Sequence, residues 1–226
     1  GGSEAALPYG VVKAWLSMQV LAPAADADAA RAACRPFAAD RGGLVLGEGS
    51  AILVLEEREH ALRRGARIYA ELAGAGSSCD HGHITAPLAS GQLRALRDAM
   101  REAGAATDEV RYVNAHGTAT PEGDPVEIDA LRQYFGAAAA NLAVSATKSM
   151  HGHLMGASGA IEALITVMAV HKGMIPPTAH RSALDPGCVG VDHVLGEGRE
   201  VGSLPLALSN SFAFGGSNVV LAFRQT

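Results

Sequence analysis

Three short stretches of the 226-residue chain carry side chains that could do chemistry. The first contains His116, which follows an apolar run at residues 110–115 and precedes Thr118 and Thr120. Loops beyond the carboxyl ends of strands collect ligands in open α/β folds, and imidazole changes its charge near neutral pH. His116 is therefore a candidate acid–base or hydrogen-bonding group; an ordinary histidine bonded to a loop carbonyl is the alternative.

The second stretch combines a cation, two imidazoles and a carboxylate. Lys148, His151 and His153 lie just before an apolar segment at residues 156–172. Cationic side chains beside the N–H groups of a helix amino terminus predict a site that favours anions. Glu162 lies inside the apolar segment, and its burial would require a nearby cation or hydrogen-bond donor. A purely structural pair of Lys148 and Glu162 is the alternative.

The third stretch places two phenylalanines beside two glycines. Phe212 and Phe214 flank Ala213, and Gly215 and Gly216 follow directly. Glycine permits a close approach of the backbone, and backbone N–H groups at such a turn could hold an oxyanion. Taken by itself, this stretch is better interpreted as an ordinary turn between two strands.

Three further motifs lack parts that their chemistry requires. Residues 79–83 read CDHGH, which has metal-ligand residue types but no second ligand motif. Residues 74–79 read GAGSSC and lack the third glycine and the helix of a dinucleotide fingerprint. Residues 156–160 read GASGA, which departs from the GxSxG nucleophile motif. We therefore predict no metal centre, no dinucleotide site and no serine nucleophile.

The elements that must position these residues alternate along the chain. Short apolar runs predict buried strands at residues 44–56 (one strand or a pair), 68–75, 110–115, 143–145, 206–211 and 219–223. Apolar spacing and glycine stops predict helices at residues 9–21, 58–65, 91–103, 124–135 and 156–172. Residues 22–43 should be mostly loop with a short helix, and residues 76–87 a loop. The pattern predicts an α/β fold whose mixed sheet ends in an antiparallel hairpin.

Composition excludes several classes of protein. Hydrophobic residues make up 48% of the chain and charged residues 18%, which argues against extensive disorder. The net charge of −5 argues against a nucleic-acid partner, and three cysteines do not make a disulfide framework. No apolar run is long enough to span a membrane, and residues 1–10 lack the pattern of a signal peptide. We expect a cytoplasmic protein with neither a nucleic-acid nor a membrane partner.

Taken together, the three stretches are specific. In order and spacing they resemble the β-ketoacyl-[acyl carrier protein] synthases of fatty acid and polyketide synthesis. The segments that carry the resemblance are NAHGTATPEGDPVE, TKSMHGHLMGASGAIEA and NSFAFGGSN. The segments RPFAADRGGLVLGEGSAILVLEE and IPPT resemble further landmarks of the synthase II branch. The resemblance covers the whole chain and implies a thiolase-like layered αβαβα fold, usually dimeric. Residues 1–67 would then be the tail of the amino-terminal half, and residues 68–226 the carboxyl-terminal half.

The resemblance also implies an acyltransferase reaction. Such enzymes decarboxylate malonyl-acyl carrier protein and condense the product with an acyl thioester held on a cysteine. By resemblance, His116 and His153 polarise the malonyl thioester carbonyl and support decarboxylation, as neutral hydrogen-bond donors would. Lys148 matches the family lysine that orders the site electrostatically, and Glu162 matches the buried acidic residue of the family.

Further roles follow from the same resemblance. Thr118 and Thr120 match positions that bind the phosphopantetheine arm of the carrier protein, so no permanently bound cofactor is expected. Phe214 matches a gating phenylalanine whose backbone N–H completes an oxyanion hole. The matching gate comprises Phe212, Ala213, Phe214, Gly215 and Gly216, and the loop that moves with it contains Asp80, His83 and Thr85.

The chain departs from the family pattern in three ways. His151 stands where threonine is common, and Ala213 replaces a glycine, which should restrict the gate. The family nucleophile is a cysteine expected upstream of Gly1, and Cys34, Cys79 and Cys188 do not match it. The expectation is a carboxyl-terminal portion without its amino-terminal half, inactive alone, from a homodimer or a heterodimer.

Two other functions remain open. A chain-length factor, the non-catalytic partner in a ketosynthase heterodimer, also lacks the nucleophile, although the retained histidines and lysine weigh against it. A thiolase acting on coenzyme A esters is the other, although the sequence KSMHGHLMGASGA fits the synthases better.

Overall fold

The computed structural model describes residues 1–180 and 182–226. Its strands are β1 (Gly2–Glu4), β2 (Gly49–Ala51), β3 (Glu71–Cys79), β4 (Val110–Asn114), β5 (Ala143–Ser145), β6 (Met174–Ile175), β7 (Asp192–His193), β8 (Arg199–Glu200), β9 (Leu206–Ala213) and β10 (Ser217–Arg224). Its α-helices are α1 (Tyr9–Ser17), α2 (Ala27–Arg31), α3 (Arg58–Arg63), α4 (Ala89–Ala103), α5 (Gly123–Phe135), α6 (Lys148–His151) and α7 (Ser158–Lys172).

Six of these strands form one mixed sheet in the order β3–β10–β9–β4–β5–β7. β4 is parallel to both β9 and β5, and β5 is parallel to β7. β10 is antiparallel to β3 and β9, so β9 and β10 form the predicted hairpin. β1 with β2 and β6 with β8 form separate two-stranded ribbons. The mixed sheet with its helices confirms the predicted α/β fold class.

Helices cover both faces of this sheet, and β9 contributes to both sides. Leu206 and Leu208 enter a core that is shared with α4 and α5. Ala207, between them, enters a second core with Val170 of α7. Successive side chains of a strand point to opposite faces, so β9 joins the two helical layers. The carboxyl end of β4, where His116 follows, lies next to β9 within this sheet.

Glycines in β3 let α4 lie very close to the sheet. A Cβ added at Gly76 would come 2.0 Å from the carbonyl oxygen of Ala95, and one at Gly74 would come 2.3 Å from that of Ala99. Both distances are shorter than any normal contact, so the helix and the strand can meet only where the strand lacks side chains. The GAGSSC segment is therefore a packing strand, in keeping with its incomplete dinucleotide fingerprint.

Several predicted boundaries are confirmed. α4 ends at Ala103 before Gly104, whose φ of +59° favours glycine. α3 ends at Arg63, two residues before Gly65, whose φ is +68°. α5 and β5 lie where the apolar spacing predicts them, and α2 is the short helix expected in the loop-rich segment. Local sequence signals were sufficient at these positions.

The predicted buried strand at residues 44–56 is wrong. Only Gly49–Ala51 forms a strand there, paired with β1, and Leu44 and Leu46 make single bridges. Ile52 and Val54 are 72% and 82% exposed. An apolar run indicates burial only where another element covers it, and the described residues do not cover this one.

The predicted loop at residues 76–87 is also partly wrong. β3 continues through Cys79, because Ser77 and Ser78 pair with Val219 and Asn218 of β10. Pairing with a neighbouring strand outweighs the low strand propensity of glycine and serine.

None of the helices among the described residues is both long enough and apolar enough to cross a membrane.

Candidate active site

A buried carboxylate holds the loop that carries His116. Glu127 of α5 accepts the backbone N–H groups of His116 and Gly117, both at 2.9 Å, and a side-chain N–H of Asn210 at 3.0 Å. Burial raises the pKa of Glu127, and these donors oppose the shift. Sequence reasoning missed Glu127 and Asn210. Glu127 lies within the first motif, but only the tertiary structure shows what its side chain holds.

Lys148 is fully buried, and its ammonium group has three partners. Nζ donates to Oε1 of Glu162 at 2.5 Å and to the carbonyl oxygen of His116 at 2.6 Å, and it lies 3.3 Å from Nδ1 of His116. Three partners match the three N–H bonds of an ammonium group. The structure thus brings together Lys148, Glu162 and His116, which come from α6, α7 and the loop after β4.

Glu162 is as deeply buried as its partner. Burial raises the pKa of Glu162 to about 7, whereas the charge and hydrogen bond of Lys148 lower it. Removing one member of a buried ion pair leaves an uncompensated charge, so the two side chains stabilise each other. The pair is structural in this sense, and it also places a positive charge against the His116 ring.

The rings of His116 and His153 carry their proton on the same nitrogen. Nδ1 of His153 accepts the backbone N–H of Met155 at 3.2 Å and lies 2.8 Å from Oγ of Ser158. Nδ1 of His116 faces the ammonium group of Lys148. Backbone N–H and ammonium groups can only donate, so Nδ1 is the acceptor in both rings. In the neutral rings, Nε2 therefore carries the proton.

Both rings are neutral near neutral pH. Burial, followed by the charge of Lys148, lowers the pKa of His153 to about 3. The same causes, with His153 itself as a third, lower the pKa of His116 well below its ordinary value. The two rings are nearly perpendicular, with centroids 5.4 Å apart. Two neutral N–H donors at this separation can stabilise one developing negative charge.

Phe212 and Phe214 occupy different environments, although only Ala213 separates them. Phe212 is 8% exposed, and its ring centroid lies 5.9 Å from that of His116. Phe214 is 38% exposed and stacks on Trp15 of α1. Phe212 therefore lies beside the imidazole of His116, whereas Phe214 is at the surface. We call residues 213–216 the gate turn.

The glycine N–H groups of the gate turn are already bonded. Gly215 donates to the carbonyl oxygen of Ile84 at 2.9 Å, and Gly216 donates to that of Ala213 at 3.0 Å. Carbonyl groups of the chain thus accept both of these glycine N–H groups. The interpretation of this stretch as a holder of an oxyanion stays a prediction. The oxyanion role that the resemblance implies for the N–H of Phe214 stays a prediction.

The loop that begins at Asp80 contacts the gate turn. Asp80 is buried, donates its N–H to the carbonyl oxygen of Gly216 at 2.9 Å and accepts a side-chain N–H of Asn218 at 2.8 Å. His83 and Thr85 are exposed, and their Nδ1 and Oγ1 atoms lie 3.2 Å apart. Asp80 is thus an anchor of the gate turn, whereas His83 and Thr85 lie at the surface of the same loop.

Thr118 and Thr120 lie in the loop after His116 and contact each other. Their Oγ1 atoms are 3.1 Å apart, and Oγ1 of Thr120 accepts the N–H of Gly123, the first residue of α5, at 3.1 Å. Thr118 is buried and Thr120 is half-buried. The structure places both on the loop of a site histidine, and their contact with a phosphopantetheine arm stays a prediction.

His151, the third imidazole, is tied to its own turn. Its Nδ1 lies 2.8 Å from the carbonyl oxygen of Gly152, and its Nε2 lies 3.2 Å from Oγ1 of Thr147. Burial lowers the pKa of His151, so this ring adds little positive charge near neutral pH. Both of its nitrogens already have partners, unlike Nε2 of the other two rings, for which the described contacts assign none.

Two of the three cysteines have buried environments that suit structural roles. Burial raises the pKa of Cys34 and of Cys188 to about 12, so both are thiols near neutral pH. Cys34 donates to the carbonyl oxygen of Lys148 at 3.1 Å. Cys79 is exposed beside the gate turn. In residues 1–180 and 182–226, no group of three His, Cys, Asp or Glu side chains is placed to hold a metal ion.

Comparison with known proteins decides the family. The model of the family described as "Beta-ketoacyl synthase, C-terminal domain" matches residues 69–182, and the model described as "Beta-ketoacyl synthase, N-terminal domain" matches residues 1–61. The chain belongs to the beta-ketoacyl synthase family. The division into two halves at residues 67 and 68 stays a prediction, as do the roles of the individual site residues.

Relatives of this ketosynthase chain include two curated proteins that match all of it. Nodulation protein E of Rhizobium sp. (strain N33) is 45% identical over 225 residues, which are 54% of the relative. The 3-oxoacyl-[acyl-carrier-protein] synthase 2 of Staphylococcus aureus (strain COL) is 43% identical over 227 residues, again 54% of the relative. The chain thus spans about half the length of these relatives.

Solved ketosynthases have the same fold. A structure described as a type II PKS acyl-carrier protein in complex with its ketosynthase matches with a TM-score of 0.95 at 32% identity, over 100% of this chain and 55% of that one. A structure described as the ishigamide ketosynthase/chain length factor matches with a TM-score of 0.91 at 38% identity, over 100% and 53%. The predicted thiolase-like fold is therefore confirmed.

Proposed function

We propose that this chain is the carboxyl-terminal portion of a 3-oxoacyl-[acyl carrier protein] synthase and supplies its decarboxylation site. The observation that carries the proposal is the pair of neutral imidazoles, each with Nδ1 taken up by a donor and Nε2 protonated. His116 and His153 can therefore donate two hydrogen bonds to one thioester oxygen. Lys148 and Glu162 hold His116 in that state.

The two donors act where negative charge develops. In malonyl-carrier protein, the bond between the carboxylate and the α-carbon breaks, carbon dioxide leaves, and the electron pair forms an enolate on the thioester oxygen. Hydrogen bonds from His116 and His153 stabilise this enolate more than the starting carbonyl, which lowers the barrier. The α-carbon then attacks the acyl thioester, forming a carbon–carbon bond and releasing the cysteine thiolate.

The nucleophile of this proposal lies outside the chain. Cys34 and Cys188 are buried thiols, and the exposed Cys79 does not match the family nucleophile. The acyl group would therefore be carried by a cysteine of an upstream segment. The acyl carrier protein is the proposed partner and delivers both thioesters on phosphopantetheine, near Thr118 and Thr120. A homodimer, or a heterodimer with a related subunit, and a cytoplasmic location belong to the same proposal.

The described contacts argue against a chain-length factor, the second candidate. A non-catalytic subunit has no use for two imidazoles whose Nε2 protons are unengaged, or for a buried lysine against one of them. In this chain, Lys148 and Ser158 maintain that arrangement from two different elements. We therefore favour the catalytic subunit.

A chimera tests this function. The part of the S. aureus synthase that precedes its match would be joined to Gly1, so that its expected cysteine completes the site. The chimera should condense malonyl- and acyl-carrier protein. His116→Ala and His153→Ala should each reduce the rate by about 100-fold or more, the effect of losing one such donor.

His171→Ala is the matched control, because this exposed histidine packs against Tyr69 at the far end of α7. It should leave the rate unchanged. A chimera that condenses equally well without His116 and His153 would contradict the site assignment. A folded chimera that becomes acylated on its cysteine but never condenses would favour the chain-length factor instead.

A further inference from the structure

Among the residues that the structure describes, the exposed Phe214 of the gate turn has one aromatic partner, and it comes from the other end of the chain. The rings of Phe214 and Trp15 are stacked, with centroids 5.6 Å apart and planes inclined by 28°. Trp15 lies on α1, a helix without a buried residue. The stack therefore connects a helix on the surface to the turn that follows Phe212, whose ring lies beside His116.

The rest of the gate turn is held through its backbone alone. Gly215 donates to Ile84, and Gly216 accepts from Asp80. Gly215 and Gly216 have φ values of +80° and +75°, a region that glycine enters at little cost. The backbone is thus anchored at the glycines, and the aromatic contact with Trp15 bears on the side chain that precedes them.

Phe214 is close in the chain to a neighbour of His116. Phe212, two residues earlier, lies on β9, and its ring centroid lies 5.9 Å from that of His116. Only Ala213 separates the two phenylalanines, so the ring that stacks on Trp15 and the ring beside His116 flank one residue of the same segment.

We propose that Trp15 is a positioning residue that holds the gate turn closed, and that an acyl thioester with a long saturated chain must displace Phe214 from it. The proposal rests on the proposed function for the identity of the ligand. A stacked aromatic pair shifts an equilibrium by about two- to tenfold. Trp15 would thus set how readily long chains enter.

The chain contains a single tryptophan, so its fluorescence reports on this contact directly. Acrylamide quenching would be measured for the wild type, for Phe214→Ala and for Val219→Ala, a control on β10 of the same hairpin. Phe214→Ala should raise the quenching constant by about twofold, since it uncovers one face of the indole. Val219→Ala should leave it unchanged. Equal quenching in the wild type and Phe214→Ala would overturn the stack, provided that circular dichroism shows both to be folded.

The chimera described above then tests the consequence for chain length. Transfer from dodecanoyl- and butyryl-pantetheine to the cysteine would be compared for Trp15→Ala and Trp15→Phe. Trp15→Ala should raise the dodecanoyl-to-butyryl rate ratio by about two- to tenfold, whereas Trp15→Phe keeps an aromatic ring and should stay near the wild type. An unchanged ratio in Trp15→Ala overturns the proposal. A chimera that never condenses in any variant contradicts the proposed function instead, because quenching and transfer are measured without condensation.

Discussion

The imidazole cluster, comprising His116, His153, Lys148 and Glu162, and the gate turn lie next to each other but are built in opposite ways. In the cluster, Lys148 and Glu162 are fully buried, and each N–H of the lysine has a partner. In the gate turn, Phe214 is exposed, and two glycines in left-handed conformations follow it. The charged groups of one region are thus buried and paired, whereas the other region presents an aromatic ring at the surface.

The difference corresponds to two demands of the proposed chemistry. Stabilising a developing charge requires donors that are already oriented, because reorienting them during the reaction would cost free energy. Admitting a substrate requires a group whose displacement costs little, and an exposed side chain such as that of Phe214 meets that requirement better than a buried one. Substitutions that weaken first one region and then the other therefore test this comparison.

The largest effect is expected from breaking the buried ion pair. Lys148→Met leaves Glu162 buried without its cation and should lower the free energy of unfolding by about 3–5 kcal/mol. Urea unfolding at neutral pH measures it. The double variant with Glu162→Gln removes the remaining charge and should recover more than half of the loss. If the free energy of unfolding of Lys148→Met were within about 1 kcal/mol of that of the wild type, the pair would contribute no more than an exposed salt bridge does.

The two glycines of the gate turn should respond differently to alanine. Both have positive φ, so each substitution costs about 1–2 kcal/mol of backbone strain. A Cβ at Gly216 would also lie 2.3 Å from Cβ of Asp80, whereas one at Gly215 meets no atom within 4 Å. Gly216→Ala should therefore destabilise the protein more than Gly215→Ala in urea unfolding. Equal losses would show that Asp80 does not hold the turn.

The neutral state of His153 predicts a pH dependence of stability. The pKa of His153 is lowered from 6.5 to about 3 in the folded protein. Between these two pH values, the imidazole is protonated in the unfolded chain but not in the folded one, so falling pH favours unfolding. His153 therefore makes the protein less stable towards the lower end of this pH range. Replacing it by Gln should flatten the slope of unfolding free energy against pH by up to about 1.4 kcal/mol per pH unit.

The difference between the slopes of the wild type and His153→Gln separates the contribution of His153 from that of the carboxylates. Glu162, whose pKa is raised from 4.5 to about 7, acts in the opposite direction and stabilises the folded state as the pH falls through its own range. That contribution is common to both proteins and cancels in the difference. Identical slopes for the wild type and His153→Gln would mean that His153 is not held neutral.

The smallest effect is expected at Ala213, the exposed last residue of β9. Ala213→Gly frees the backbone next to Phe214, and glycine gains about 0.5–1 kcal/mol of conformational freedom over alanine. In the chimera, turnover with long acyl chains should rise by about two- to fivefold, the same energy expressed as a rate. Unchanged acylation kinetics would show that this position does not limit the gate.

Much of the fold could be predicted because its signals are local. Gly104 ends α4 where the left-handed backbone conformation favours glycine, and apolar spacing marks α5. The strand predicted at residues 44–56 failed because apolar residues such as Val54 need a covering partner, which is a property of the assembled protein. β3 was predicted at residues 68–75 but runs from Glu71 to Cys79, because pairing with β10, rather than composition, extends it through Ser77 and Ser78.

The site shows the same division. The histidines, the lysine and the gate phenylalanines could be singled out because their types are unusual in their surroundings. Glu127 could not, since an acidic residue on a helix is ordinarily solvated, and only the approach of the His116 loop makes it an anchor. The contact of Trp15 with Phe214 joins the two ends of the chain and has no local signal.

The sequence by itself determined the family, the α/β class and the residues that could carry charge or hydrogen bonds, because motif spacing and apolar periodicity are properties of neighbours along the chain. The tertiary structure decided the proton positions on His116 and His153, the burial that makes them neutral and the partners that hold the gate turn. These properties depend on which distant groups share a desolvated space, and only the folded chain brings those groups together.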